Sequence, residues 1–273
     1  MIRIESSDGW WLIKHQDHAR LAAAFAHHWS TDAFPAPEPR KQVLAAVTHH
    51  DDAWVARDNE PELTPEKKPS AFTKELVGAY TAFEEIDFYS YLNVRKQATE
   101  AHAESNPFAA MLISMHNESL LTNGADLTTL TDEQRDYHAQ FIKGQQDRQK
   151  ELLKEAVEKD SSLSPYANEE SCQRAFEFLQ ACDSFSLIAC VGYSDTIALQ
   201  HQHPNSEGER HTITMEPLGD SKYRIAPFPL DKSEITLKVP AKFVSGKHFE
   251  SLEDFRAAYA SSPVEQFNIT LVN

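Results

Sequence analysis

The sequence predicts a mainly α-helical protein with a small antiparallel β-sheet built from both ends of the chain. Apolar residues recur at helical spacing through most of residues 15–203, whereas period-two alternation is confined to the first 14 residues and to residues 205–273. Because the strand-like segments are few and short, we expect them to pack onto the helices rather than to fold alone. The predicted organisation is one domain over residues 1–273, with a helical body at about 15–203.

The order of the predicted elements follows from turn and cap signals. A β-hairpin is expected over residues 1–14, with its turn at residues 7–9, and Asp17 is expected to cap a first helix that runs to about Trp29. Further helical patterns cover residues 40–55, 71–97, 108–121, 131–159 and 168–199, with a short helix at 251–260. Period-two segments predict strands at 211–215, 223–228, 234–239 and 267–272.

The composition is that of a folded soluble protein, with 41% hydrophobic and 25% charged residues. A formal net charge of -16 predicts an acidic surface that repels nucleic acid and anionic membranes, so neither is expected as a partner. A small anionic substrate fits such a protein only where a metal ion or local cations reverse the potential inside a pocket. The sequence leaves the oligomeric state open.

Cysteine and glycine usage excludes several classes of protein. The three cysteines are odd in number and form no CxxC pair, which favours buried free thiols in a reducing compartment. No apolar stretch has the length of a signal-peptide core or of a membrane span, so a cytoplasmic location is expected. The eight glycines include neither the Rossmann nor the P-loop pattern, and the chain has no G-x-S-x-G elbow.

Titratable side chains interrupt the apolar faces of three predicted helices. His18 lies on the inner face of the first helix, with apolar residues at offsets of 3, 4, 7 and 11. In the second helix, periodicity points His50 and Asp51 inward and leaves Asp52 nearer to solvent. Asp183 lies in the most hydrophobic helix of the chain. Because an unpaired buried charge costs several kcal/mol, these interruptions predict one shared site for a divalent cation.

Each of these residues also has a structural explanation. His18 alone fits a core histidine that is hydrogen-bonded to a backbone carbonyl. The dipeptide His50-Asp51 fits a solvated helix end, and Asp183 fits a buried Asp–Arg pair. The metal hypothesis therefore depends on the combination of the three interruptions.

The order His, His-Asp, Asp along successive helices resembles the HD superfamily of metal-dependent phosphohydrolases. More closely, the chain resembles an uncharacterised bacterial family of HD-like proteins that carries a domain-of-unknown-function label. This likeness spans nearly the whole chain and rests on QDHARL (16–21), Trp29, HDDAW (50–54), SMH (114–116) and DSFSL (183–187). Ala53 stands where the family pattern has glycine, and the long separation of Asp51 from Asp183 implies an inserted or lid-like helical segment.

The resemblance implies an HD-like helical bundle and a ligand set. The implied metal ligands are His18, His50, Asp51 and Asp183. Mixed nitrogen and oxygen ligation suits Mn, Fe, Co, Ni or Zn better than Mg, with one or two ions bound.

Four further residues are candidates for chemistry. His116 points inward from its helix, where it could bind a second metal or the substrate, or serve as a buried structural histidine. Gln145 and Arg148 interrupt an apolar stripe and match a Gln-x-x-Arg pattern of the same family. Arg148 could hold an anionic substrate group or pair with Asp183 or Asp51. His116 or Asp52 could transfer protons.

The function expected from these residues is metal-dependent hydrolysis of a phosphate ester or a similar small anion, through a metal-activated water. Two alternatives share the same residues. One is an HD-type oxygenase with paired irons, and the other is a non-catalytic protein in which a metal or an ion-pair network braces the helices.

Overall fold

The computed structural model describes residues 1–29, 32–76 and 87–273. Within it, the chain divides into two compact units. The sheet unit comprises Met1–Ala36, Trp54–Glu75 and Ala181–Asn273, and the helical unit comprises Pro37–Ala53 and Leu76–Gln180. Both ends of the chain therefore belong to the same unit, which also contains helices.

Seven strands form one mixed sheet in the sheet unit. They are β1 (Ile2–Glu5), β2 (Gly9–Ile13), β3 (Ile197–Pro204), β4 (Arg210–Gly219), β5 (Lys222–Ala226), β6 (Glu234–Ser245) and β7 (Val264–Val272). Their order is β1-β2-β6-β7-β5-β4-β3, in which β5 and β7 run parallel and the other described neighbours are antiparallel. The predicted fold class, an HD-like helical bundle with a small antiparallel sheet, is therefore wrong.

The sheet is larger than predicted because the sequence pattern hides parts of its strands. Pro217 in β4 and Pro240 in β6 interrupt the period-two patterns, yet both strands continue past them. β3 lies partly within the segment that was expected to extend the last helix to residue 199. Alternating hydrophobicity also identifies a strand without identifying its neighbours. The parallel pairing of β5 with β7 therefore could not be predicted from the sequence pattern.

The start of β2 shows why glycine is needed at one position in this sheet. β2 pairs with β6, and Gly9 lies opposite Ser245. A Cβ atom on Gly9 would overlap the carbonyl oxygen of Val244. The close approach of the two backbones therefore requires a residue without a side chain.

Helices of the sheet unit pack beside the strands. They are α1 (His15–His28), α3 (Val55–Asn59) and α8 (Leu252–Ser261), and the end of α7 (Glu169–Cys190) also belongs to this unit. Phe25 on α1 and Trp29 directly after it place their rings 5.8 and 6.0 Å from the ring of Phe185 on α7. These buried aromatic contacts fix the register of α1 against the last turns of α7.

The helical unit is built around one buried helix. It contains α2 (Arg40–His49), α4 (Phe88–Ala103), α5 (Pro107–Ser119), α6 (Asp132–Lys159) and the beginning of α7. α5 is buried along most of its length and packs against α2, α4 and α6. Side-chain caps define three starts: Asp87 caps α4, Asn106 caps α5, and Thr131 with Gln134 forms a capping box on α6.

Several helix boundaries differ from those expected. α1 begins at His15 without a side-chain cap, and Asp17 lies in its first turn. The second helix ends at His49, and a 3-10 turn at Asp52–Trp54 leads into α3. Of the helix expected over 71–97, a 3-10 turn covers Lys74–Leu76, residues 77–86 lie outside the described residues, and α4 extends beyond the expected end.

Candidate metal centre

The sheet unit contains a buried pair formed by His18 on α1 and Asp183 on α7. Nε2 of His18 lies 3.9 Å from Oδ1 of Asp183, and His18 is fully buried. Its other ring nitrogen, Nδ1, lies 2.8 Å from Oγ of Ser186, whose hydroxyl donates to the carbonyl oxygen of Asp183 at 2.8 Å. A hydroxyl has one hydrogen, so Oγ accepts from Nδ1–H of His18. The other ring nitrogen, Nε2, therefore faces the carboxylate of Asp183.

The helical unit contains a second pair of the same kind at the end of α2. Nδ1 of His50 lies 2.8 Å from the carbonyl oxygen of Val47, which can only accept, so Nδ1 carries the proton. Nε2 of His50 lies 3.9 Å from Oδ2 of Asp51. Both side chains are buried. Nε2 of His50 thus faces a carboxylate oxygen here as well.

The separation within each pair suits a metal ion better than a direct hydrogen bond. At 3.9 Å, the nitrogen and the oxygen are too far apart to share a proton. A transition metal binds imidazole nitrogen and carboxylate oxygen at about 2.0–2.2 Å, so two such bonds span about 4 Å at most. Each pair can therefore supply one nitrogen and one oxygen ligand to a cation with little movement.

Arg95 on α4 holds the carboxylate of Asp51 in place. Its Nη1 donates to Oδ1 of Asp51 at 3.0 Å, and both side chains are buried. Asn117 on α5 accepts from the same Nη1 at 3.4 Å and donates to the backbone carbonyl of Arg95 at 2.9 Å. The buried Asp–Arg pair that the sequence suggested for Asp183 thus occurs at Asp51.

The sequence also carries a signal for Arg95. Arg95 lies three residues after buried Leu92 and three before buried Ala98, on the apolar face of α4. It therefore interrupts a helical stripe in the same way as His18 does in α1. A charge on that face predicts a buried partner of opposite sign, although the pattern does not say which.

His116 lies beside His50 in the helical unit. The centroids of the two rings are 5.2 Å apart, and their planes meet at 76°. Nδ1 of His116 lies 3.5 Å from Nε2 of Gln180. His116 is buried, so its position suits either proton transfer next to the candidate ligand or a purely structural role.

Gln145 and Arg148 on α6 have different surroundings. The buried Oε1 of Gln145 accepts from the hydroxyls of Ser114 at 2.8 Å and Thr99 at 3.3 Å, which connects α4, α5 and α6. Arg148 forms ion pairs at 2.9–3.2 Å with Glu100 on α4 and with Glu151 and Glu155 on α6. Arg148 therefore pairs with glutamates and not with Asp51, which was one of the two partners that the sequence suggested for it.

Asp52 belongs to a different group from Asp51. Its Oδ2 lies 2.7 Å from Nδ1 of His49 and 3.4 Å from Nε2 of His102. All three side chains are partly exposed. Asp52 is thus nearer to solvent than Asp51, as the helical periodicity indicated.

Buried histidines and aspartates therefore lie in groups that could hold a metal ion. This much of the cofactor prediction is confirmed, whereas the identity and number of ions stay predictions. In the part of the chain that the structure describes, none of the helices combines the length and apolar character needed to cross a membrane.

The fold and these groups define a protein with a mixed β-sheet, a helical unit and buried histidine–carboxylate pairs suited to a cation. The chain belongs to the family described as "Protein of unknown function (DUF3891)", whose model matches residues 1–246. The resemblance to an uncharacterised family is thereby confirmed. No match was found among curated proteins or among solved structures.

Proposed function

We propose that this protein is a metal-dependent hydrolase that acts on a phosphate ester or a similar small anionic substrate. One repeated geometry carries the proposal. Two fully buried histidines, His18 and His50, are each fixed with the proton on Nδ1, and each turns Nε2 towards a carboxylate oxygen 3.9 Å away. A cation between Nε2 and the carboxylate oxygen would bind both atoms of each pair.

The proposed ligands are His18, Asp183, His50 and Asp51. Each pair offers one imidazole nitrogen and one carboxylate oxygen, and this mixed donor set suits Mn, Fe, Co, Ni or Zn. The order of the four residues along the sequence resembles that of the HD superfamily, and we extend this resemblance to the ligands alone. An ion at each pair predicts two ions per chain, one in the sheet unit and one in the helical unit.

The bound ion would lower the pKa of a water ligand and polarise the scissile phosphoryl group. The residues of the chain prepare the ligands for this chemistry. Ser186 and the carbonyl of Val47 hold the two imidazoles in the tautomer that exposes Nε2. Arg95 holds one oxygen of Asp51 and thereby orients the other.

His116 is the residue best placed to move a proton. It lies next to His50, and the hydrogen bond that Ser114 donates to Gln145 secures the helix that carries it. Arg148 is left outside the proposed machinery, because Glu100, Glu151 and Glu155 already neutralise its charge. A basic group surrounded by carboxylates is a poor site for an anion.

The test combines metal analysis with turnover. Protein purified without added metal is analysed for its elements, stripped with a chelator, reloaded with Mn²⁺, Co²⁺ or Zn²⁺, and assayed on phosphate monoesters and diesters. We expect stoichiometric metal and turnover in the wild type, whereas His18→Ala and Asp183→Ala should lose turnover and the ion that this pair binds. His27→Ala is the matched control, because His27 is exposed on the same helix.

Three outcomes would overturn the proposal. Fresh protein without metal that also takes up none on reloading would remove the basis of the mechanism. Two irons per chain with strictly oxygen-dependent turnover would replace hydrolysis by the oxygenase alternative. A thermal midpoint that falls on chelation, without turnover of any phosphate ester, would indicate a bracing role.

A further inference from the structure

We propose that His49, Asp52 and His102 form a second transition-metal site, separate in its ligands from the proposed catalytic centre. All three residues belong to the helical unit. His49 ends α2, Asp52 follows in the 3-10 turn, and His102 lies in the last turn of α4. One potential ligand atom from each residue lies within 4.8 Å of the other two.

The three side chains converge on one oxygen atom. Oδ2 of Asp52 lies 2.7 Å from Nδ1 of His49 and 3.4 Å from Nε2 of His102. The two imidazole rings lie side by side, with centroids 4.8 Å apart and an angle of 34° between their planes. Two ligands of a tetrahedral ion with bonds of about 2.05 Å stand roughly 3.3 Å apart, so the donor set needs only small shifts to close around a cation.

His102 supplies the observation that points to a ligand. Among the residues that the structure describes, its buried Nε2 atom has no hydrogen-bond partner. Although Oδ2 of Asp52 is 3.4 Å away, the contact does not meet hydrogen-bond geometry. An imidazole nitrogen that is withdrawn from water and lacks a hydrogen bond loses free energy unless a proton or a metal ion occupies the direction of its lone pair.

The surroundings of this site favour exchange of an ion with solvent. The side chains of His49, Asp52 and His102 are 43%, 21% and 20% exposed, unlike the buried pairs of the catalytic proposal. Exposure lets a cation enter, and it also lets His49 move its proton from Nδ1 to Nε2 when the ion replaces its hydrogen bond to Asp52. The net charge of -16 raises the local concentration of cations at the surface.

Two imidazoles with one carboxylate select the class of ion. Imidazole is a good ligand for Zn²⁺, Co²⁺, Ni²⁺ and Cu²⁺ and a poor one for Mg²⁺. Three protein ligands leave at least one coordination position for water. The site therefore takes a divalent transition metal in an open geometry, and Mg²⁺ should not compete for it.

The experiment counts zinc equivalents in the full chain after metal removal. Zn²⁺ is titrated in competition with a chromophoric chelator, in the presence of Mg²⁺, into the wild type, His49→Ala and His102→Ala. His27→Ala is again the matched control, since its imidazole is exposed on α1. We expect each of the two variants to lose one equivalent, or to bind it more than tenfold more weakly, while the control binds as the wild type does.

A second readout covers the case in which an alanine variant does not fold. In the wild type, Zn²⁺ should protect His49 and His102 from carbethoxylation, measured for each residue by mass spectrometry, whereas Mg²⁺ should not. Unchanged zinc content in folded His49→Ala and His102→Ala, or equal modification of both residues with and without zinc, would overturn the proposal.

The second site and the proposed catalytic centre can fail independently. His18→Ala should retain the equivalent that His102→Ala loses. A zinc equivalent that disappears in His102→Ala and persists in His18→Ala supports the second site even if no phosphate ester is hydrolysed. An equivalent lost in His18→Ala alone supports only the catalytic centre.

Discussion

Asp51 and Arg95 form a buried ion pair in the helical unit, in which Nη1 of Arg95 donates to Oδ1 of Asp51 at 3.0 Å. The pair leaves the second oxygen of Asp51 directed towards His50, 3.9 Å away. The carboxylate of Asp51 thus lies between the guanidinium of Arg95 and the candidate metal ligand His50. Removing its arginine affects folding as well as the position of the ligand.

Arg95→Met should destabilise the protein by about 3–5 kcal/mol, because the substitution leaves the carboxylate of Asp51 buried without its cation. Urea unfolding measures this loss. Arg20→Met is the control, since Arg20 is 60% exposed and its ion pair with Asp17 should contribute less than about 1 kcal/mol. Equal destabilisation by the two substitutions would contradict the importance of the buried pair.

Gly9→Ala should destabilise the sheet unit by about 1–3 kcal/mol, because the new Cβ overlaps the carbonyl oxygen of Val244 on β6. Gly144→Ala provides the opposite control. Gly144 lies within α6, where a Cβ meets nothing within 4 Å, so alanine should stabilise the helix by about 0.5–1 kcal/mol. Thermal midpoints that shift in the same direction for both variants would show that the approach of β2 to β6 is looser than described.

Local periodicity was sufficient to orient side chains on single helices. The repeat of 3.6 residues placed His18 on the buried face of α1, because helix geometry depends only on nearby residues. The same local rule identified most strands and the short helix α8. Orientation within one element is therefore readable without knowledge of the rest of the chain.

Contacts between residues on different helices or strands could not be predicted from local periodicity. Nothing in the order of residues selects Arg95 for Asp51, or His102 for Asp52, because these contacts depend on how α4 packs against other helices of its unit. The same limit explains the sheet. β3 looked like the continuation of a helix, and the parallel pairing of β5 with β7 depends on contacts between distant segments.

The three cysteines should react slowly in the folded protein. All are buried and free, and burial raises the pKa of Cys172 to about 11, against a weaker lowering by the backbone hydrogen bond at Asn168. At pH 8, on the order of one in a thousand of the Cys172 thiols would then be ionised, and the thiolate is the reactive species. A thiol assay should detect three groups at once in guanidinium and react slowly without it. Rapid reaction of any native thiol would contradict this description.

His138 should make stability fall as the solution becomes acidic. Burial lowers the pKa of His138 below its ordinary value of 6.5, and the hydrogen bond from Nε2 to the carbonyl of Leu121 opposes this only in part. The unfolded chain therefore binds a proton more readily than the folded chain. The contribution to stability is present above pH 6.5 and is lost as the pH falls from there through the lower folded pKa.

The matched variant for this prediction is His138→Gln, which retains a hydrogen-bond donor but does not titrate. Its free energy of unfolding, measured by urea between pH 8 and pH 5, should decline less steeply than that of the wild type. Parallel curves for the two proteins would show that His138 takes up its proton equally well in the folded and unfolded states.

Ser186→Ala should weaken metal binding without removing a ligand. The hydroxyl of Ser186 accepts from Nδ1–H of His18 and donates to the backbone of Asp183, so it fixes both the tautomer and the orientation of the imidazole. Loss of such a supporting hydrogen bond typically costs 10- to 100-fold in metal affinity.

Ser184→Ala is the control on the same helix, because Ser184 lies outside this contact with His18. The readout is the dissociation constant for Zn²⁺ in protein that lacks His102, so that the second site does not contribute. Equal affinities in the two serine variants would indicate that His18 does not bind the ion through Nε2.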